Sequence, residues 1–544
     1  MKRAPLVTVL AVLAVAAVVS FSGGLVGGTP GSSPSPSSVR SPDATGPDGG
    51  STAPPSPDVS PSPVAPSPTP EPVPSGPPVA TAIVPVAHFR SAFASTSRAE
   101  VAAIIAGTSR RYQALEVVRA EADAVLAALR VEVPAGSTRL VLARDAGTLA
   151  RDLARTRNRL GFLRASVVGP SVRALAWGRD ALFGVDRVPT LAAWPLKASL
   201  PAAAGYDPAR AWTLVAGGDI LLDRGVAKTI KSGGRGVDFP FSGGYAEITS
   251  RYCCSSFGWE LPRTHRLGGA GAMRRLLRGA DLAIANFENP APDAFRFHAS
   301  GTVFSADPAL IEGLRNAGID WVSLANNHIR DAGATGIADT IRNLNRWGIA
   351  HGGAGANLAA ARRARLLRAG GSRIAVLAYD AIARSYGAGP STAGSAQLSR
   401  AVVRQDVRTA RRAGADVVIV FPHWGTEYDA TPFTGQQRLA HIAIDAGADL
   451  VIGNHAHWAG AMEVYKGRPI WYALGNFVFD QTWSEPTMEG MTLELTFLGG
   501  DLRQVRMRPH LILDKAQPNF LDPAADGRVV MGQVFDASSG LLAW

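Results

Sequence analysis

The residues best suited to chemistry fall in six short polar clusters, each directly after an apolar run. Gly217-Gly218-Asp219 follows the run 213–216, Asn286-Phe287-Glu288 follows 282–285, and Ala325-Asn326-Asn327-His328 follows 322–324. Further on, His423-Trp424-Gly425-Thr426-Glu427 follows 417–421, Gly453-Asn454-His455-Ala456-His457 follows 450–452, and Gly475-Asn476-Phe477 follows 470–474. Imidazole and carboxylate donors in one set suit a divalent transition metal such as Mn, Fe or Zn. Any one of these histidines alone would read as structural. His328, His423, His455 and His457 taken jointly with Asp219, Glu288 and Asn327 read as a metal site. His441 falls inside an apolar helical stretch, and His265, His298, His351 and His510 fall in expected loops, so these read as structural or surface residues.

Positioning such a set is the work of alternating elements. Helical stretches at 308–317, 336–347, 402–413 and 436–446 lie between the apolar runs, several of them stopped by Gly. Strands alternating with helices imply an α/β sheet arrangement with helices covering the sheet faces. In open α/β sheets the ligand crevice lies beyond the carboxyl ends of the strands. The six clusters are therefore expected to meet on one rim.

The ordered set resembles the CapA family of bacterial capsule and poly-γ-glutamate synthesis proteins, within the calcineurin-like metallophosphoesterase superfamily. The resemblance runs from about Leu214 to Asp480 and takes in the motifs above, including Gly475-Asn476-Phe477-Val478-Phe479-Asp480. It implies a four-layer αββα metallophosphoesterase-like sandwich with a metal centre at its rim, holding one or two divalent ions. By the same resemblance Asp219, Glu288, Asn327, His423, His455 and His457 are metal ligands, Glu288 in the bridging place, and His328 sits over the leaving group. Two positions depart from the superfamily pattern: Leu221 stands where a His is usual, and Glu288 where an Asp is usual. Both bear on whether the centre holds two metals.

Two functions follow. One is metal-assisted hydrolysis or transfer at a phosphoester or related bond, with His328 as general acid. The other is a non-catalytic assembly role in capsule or poly-γ-glutamate synthesis, with a structural metal. The expected partners are an anionic polymer or phosphorylated cell-envelope substrate and a membrane synthase complex.

The rest of the chain frames this domain, placed at 210–515. Lys2 and Arg3 precede an uncharged apolar run to residue 28, which reads as a signal peptide or a membrane anchor and places the folded part outside the cytoplasm. Residues 29–80 are rich in Pro and Ser and cannot bury a core. A smaller mixed α/β domain is expected over 81–205, with Ser97-Arg98-Ala99-Glu100 as a capping box. The stretch from Ser97 to Gly107, with that from Leu160 to Leu175, resembles part of a type II periplasmic solute-binding domain, which implies a ligand-binding or docking module. Residues 516–544 read as a C-terminal extension. The formal charge of +11 is carried by Arg scattered among Ala and Gly, not by dense basic blocks, so it favours an anionic partner but not nucleic acid. The only cysteines, Cys253 and Cys254, are adjacent. A bond between neighbours would be strained, so they read as a structural or redox-inert pair in a loop.

Overall fold

Strand Ala211–Ile220 is buried along its whole length because different layers cover its two faces. Trp212, Leu214 and Ala216 enter one core while Val215 enters another, the period-two alternation of a strand packed on both sides. The computed structural model that shows this describes residues 76–203 and 205–541. The N-terminal apolar run and nearly all of the Pro/Ser-rich segment lie outside the described residues.

Strand Ala211–Ile220 is central in a ten-stranded sheet. Parallel neighbours Leu282–Phe287, Trp321–Ser323 and Ala350–Gly352 extend it on one side. On the other side lie antiparallel Glu489–Leu498 and Asp501–Leu513, with short Asn476–Val478 pairing in parallel beyond the end of Glu489–Leu498. A six-stranded sheet contains parallel Ser372–Asp380, Val417–His423, Leu450–Ile452 and Arg468–Trp471. The two sheets face each other. Ile374, Val376, Val417 and Ile419 of the smaller sheet share one core with Trp212, Leu214 and Ile284 of the larger, and the Trp321 and Phe421 rings meet edge to face at 5.7 Å.

Helices close both outer faces. Arg224–Lys231, Ala272–Gly279, Ile311–Ala317 and Gly333–Arg346 pack on the outer side of the large sheet, and Arg400–Arg412 and Thr434–Ala446 on that of the smaller one. The result is the expected αββα order of layers. Local chemistry sets the helix ends. Ser399 Oγ accepts from Val402 N–H at 3.2 Å, and Gly447, at φ 114°, ends the helix that follows. Inside the sandwich the Trp212 ring stacks on Phe497 at 4.3 Å, and each fully buried side chain of this size contributes about 1.5–3 kcal/mol.

Residues after 515 take part in this architecture. Strand Gln517–Phe520 pairs with Asp501–Leu513, and helix Gly527–Ala537 places Val530, Met531 and Val534 in the inter-sheet core.

A second six-stranded sheet, built from Pro78–His88, Ala114–Val118, Leu140–Ala143, Arg159–Arg164, Val172–Ala174 and Lys197–Pro201, has its own core. Ser97 caps helix Arg98–Ala106, but Glu100 bonds Ser109 Oγ instead of closing the box. This sheet and the sandwich belong to one compact unit, joined by bonds such as Ala174 N–H to Gln504 Oε1 and Val185 N–H to Glu494 Oε1, both 2.8 Å.

Several residues sit differently from their sequence reading. His265, His351 and His510 lie on strands, and His510 is fully buried, bonded to Thr492 Oγ1 and Asn476 O. Its neighbours Pro509 and Arg508 disguise the strand. Cys253 and Cys254 do lie in a loop, between strands Tyr245–Tyr252 and Leu261–Gly268, and are bonded to each other, which the strain argument did not anticipate. Among the described residues no helix is long and apolar enough to cross a membrane.

Candidate metal centre

Strand register brings the polar clusters together. Parallel pairing sets Asn286 opposite Asp219 on one side and Asn476 opposite it on the other. In the facing sheet Asp380 stands opposite His423, which is bridged to Asn454. Gly218 is required here: a Cβ would lie 1.9 Å from Gly475 O, and the close approach lets Asp219 N–H donate to that oxygen at 3.1 Å. His455 and His457 both have left-handed backbones, φ 93° and 56°. For non-glycine residues this costs on the order of 1–3 kcal/mol each. Bonds from His455 N–H to Asp219 Oδ2 and from Tyr428 N–H to Ala456 O hold the turn that aims both rings inward.

Two donor groups result, and they share one residue. Glu288, His423 and His455 form the first, while Asp219, Glu288 and His457 form the second. In the first, His423 Nε2 lies 2.9 Å from Asn327 Oδ1, 3.1 Å from His455 Nδ1 and 3.5 Å from Glu288 Oε1. In the second, His457 Nε2 stands 3.8 Å from Glu288 Oε1, and Nδ1 of the same ring lies 3.7 Å from Asp219 Oδ2. Ligand bonds of roughly 2.0–2.2 Å place neighbouring donors of one shell about 3 Å apart, so both groups have a fitting size. The structure thus brings together Asp219, Glu288, Asn327, His423, His455 and His457.

The electrostatics fit a cation. Burial pushes the Asp219 carboxyl up to about 7. Burial, and then the Asp219 and Glu427 charges, push Glu288 well above the usual carboxylate range. Among the described residues neither buried Glu288 oxygen has an N–H donor, and the side chain beside it, Asp219, is another carboxyl. Buried carboxylates without partners are costly, and a bound cation removes that cost. Burial also lowers His457 to about 4 and, with repulsion from neighbouring imidazoles, takes His423 and His455 well below their ordinary value. These rings are neutral at pH 7, the form that ligates metal.

His328 stands beside this set, near enough for its charge to lower His423, His455 and His457. Its Nδ1 bonds Asp331 Oδ2 at 2.8 Å and its ring stacks on Phe304 at 3.9 Å. Sequence reasoning assigned no role to Asp331, Asn286, Asn476 or Arg224. Asn286 Nδ2 donates to Asp219 Oδ1 at 2.8 Å and lies 3.2 Å from His423 Nδ1. Asp480 fixes Arg224, accepting from its guanidinium at 2.5 Å and from Gly225 N–H at 2.8 Å. Asn286, Asn476 and Asp480 were inside the quoted motifs, and Asp331 lies three residues past His328. No signal marked Arg224. Leu221 is fully buried with Phe304, Phe479 and Ile512 and offers no donor. The second group therefore has one donor fewer than the first once Asn327 is counted.

Residues 213–481 match the model of the bacterial capsule synthesis protein family PGA_cap. The chain is similar to the capsule biosynthesis protein CapA of Bacillus anthracis, 34% identical over 38% of this chain and 53% of that protein. It is also similar to a probable polyglutamine synthesis accessory protein of Mycobacterium tuberculosis, 30% identical over 49% of this chain and 74% of that one. The chain thus spans about half the length of the Bacillus relative. Among solved structures, the calcineurin-like phosphoesterase YfkN from Bacillus subtilis aligns over 60% of this chain and 96% of that chain, with 12% identity and a TM-score of 0.31. At that score the fold assignment rests on the chain's own topology, given above. With the family's motifs in order along one rim and a relative matched over most of its length, the chain belongs to the CapA family of bacterial capsule synthesis proteins.

Proposed function

We propose that the chain is an extracytoplasmic member of this family that hydrolyses a phosphoester or related bond of an anionic cell-envelope substrate at a two-ion metal centre. The observation that carries the reading is Glu288, a fully buried carboxylate with no N–H donor among the described residues, shared by two donor groups. Asn327, His423, His455 and Glu288 would hold one divalent ion, and Asp219, His457 and Glu288 the other. Ions bound there supply polarisation of a phosphoryl oxygen and a nucleophile active at neutral pH. The remaining work falls to the chain itself. Asp331 holds Nδ1 of His328, so Nε2 is left to deliver a proton to the leaving oxygen. Arg224, clamped by Asp480, adds positive charge beside the centre for an anionic substrate. Full-chain protein should contain divalent metal and turn over a chromogenic phosphoester, losing both with chelator and in Glu288→Gln; protein that holds metal but turns over no phosphoester would refute the enzyme reading.

Leu221 favours a second reading, a non-catalytic assembly factor with a single structural ion that binds nascent polymer or a membrane synthase complex. Metal stoichiometry separates the two, since this reading requires one ion per chain. The extracytoplasmic placement rests on the N-terminal run. Protease added to wall-stripped cells should degrade the folded part, and full protection with an intact inner membrane would contradict it.

A further inference from the structure

Between the N-terminal sheet and the outer strands of the large sheet lies a cavity of about 770 Å³. Small-molecule sites run to roughly 300–1,000 Å³. None of the metal-centre residues lines it. Arg111, Arg173, Arg179, Arg506 and Arg508 do, drawn from segments more than three hundred residues apart in sequence. Facing these five guanidinium groups are only Asp186 and Asp522 in the lining, both exposed, and Glu494 behind. Glu494 is already engaged: it accepts from Arg508 Nε at 2.7 Å and from Val185 N–H, and Arg506 Nη1 comes no closer to it than 3.6 Å. The cavity therefore keeps an excess of two positive charges.

Of these five guanidinium groups Arg173 is buried, Arg111, Arg506 and Arg508 are half-buried, and Arg179 is exposed. Arg173 is 8% exposed, and among the described residues it makes a single hydrogen bond, Nε to Phe93 O at 3.1 Å, though a guanidinium carries five N–H donors. Burial and repulsion from Arg506 and Arg508 lower it to about 10. Arg111 Cζ lies over the Phe93 ring, 3.8 Å from its centroid; its Nη2 donates to Ser95 O at 2.7 Å, and among the described residues its buried Nε has no hydrogen-bond partner. Unpaired buried charges are costly unless something completes them. Planar guanidinium forks match the oxygens of phosphate and carboxylate. Tyr245 and Phe520, with ring centroids 5.8 Å apart, give the cavity an apolar side.

We propose that this cavity is an anion-binding site for a small molecule bearing a phosphate or a pair of carboxylates, with buried Arg173 and half-buried Arg506 as its inner contacts and Arg179 at its mouth. It is distinct from the metal centre and does not depend on the function proposed for that centre.

The test is calorimetric titration of the full chain with inorganic phosphate and, separately, with glutarate, against sodium chloride at matched ionic strength. At least one oxyanion should bind saturably where chloride does not, and the stronger of the two identifies the head group. Arg173→Met should weaken binding about 10-fold or more, the effect of losing one charge-assisted contact. Because Arg173 is buried, Arg179→Glu serves as a second variant with an exposed side chain, and it should weaken binding in the same direction. Asp219→Asn should bind the anion as wild type does. Absence of saturable binding for both oxyanions would overturn the proposal. So would binding unchanged in both arginine variants, or binding lost in Asp219→Asn.

Discussion

Asn476 Oδ1 stands 2.9 Å from His457 Nδ1 and accepts its proton, leaving Nε2 to face Glu288. The Asn476 amide is itself oriented, since its Nδ2 donates to Gln481 Oε1 and to Thr487 O. Partners behind a ligand set its tautomer and ring angle, and losing one typically costs about 10–100-fold in metal affinity. Asn476→Ala should therefore weaken one metal-binding step by about that factor and leave the other near its wild-type value, as read by metal titration. Equal weakening of both steps would show that the two groups are not separable.

His328 and Asp331 should act on rate and not on metal content. General acid catalysis typically supplies about 10²–10⁴-fold, so His328→Ala should lose that much turnover of a phosphoester with a poor leaving group. The loss should shrink when the leaving group needs no proton. Asp331→Asn, which weakens the hold on Nδ1, should move the rate in the same direction by less. Metal analysis of both variants should match wild type.

Glu489 gives a pH dependence that owes nothing to the metal. Burial, reinforced by the Glu485 charge, raises its carboxyl from 4.5 to about 8, and its Oε1 has no hydrogen-bond partner. Between those values the folded chain keeps the proton and the unfolded chain releases it. This contribution to stability is therefore lost progressively as pH rises from about 4.5 to 8. Glu489→Gln removes the slope. Relative to wild type its denaturation free energy should be similar near pH 4 and higher by up to about 4 kcal/mol at pH 8 and above.

Much of this architecture was visible in the residues, and what was hidden had a physical cause. The strand Leu450–Ile452 and the polar clusters after each parallel strand stood out because fully buried strands are short, continuously apolar and followed by sharp polar turns. Strand Glu489–Leu498 did not, because it carries Glu494, Thr492 and Thr496 into the interior, where Arg508, His510 and Gly184 N–H satisfy them. Partners so distant in sequence cannot be read along the chain. Strand Asp501–Leu513 alternates Val505 and Met507 with Arg506 and Arg508, but Pro509 and the apolar run Leu511-Ile512-Leu513 break the period. At the site, the meeting of these polar clusters on one rim was legible and their division into two donor groups was not. Leu221 cast doubt on a second ion, whereas the turn 453–457 splits His455 and His457 between two donor groups that meet at Glu288. Arg224 escaped notice because only folding brings Asp480 to clamp it.

The proposed chemistry turns on Glu288 being shared between two ions. Crystals of the full chain grown with Mn²⁺ and measured at the manganese absorption edge test it directly. Two anomalous peaks are expected, each within roughly 2.0–2.3 Å of a Glu288 carboxylate oxygen, one beside His423 and His455 and the other beside Asp219 and His457. A single peak, or peaks that do not touch Glu288, would contradict it.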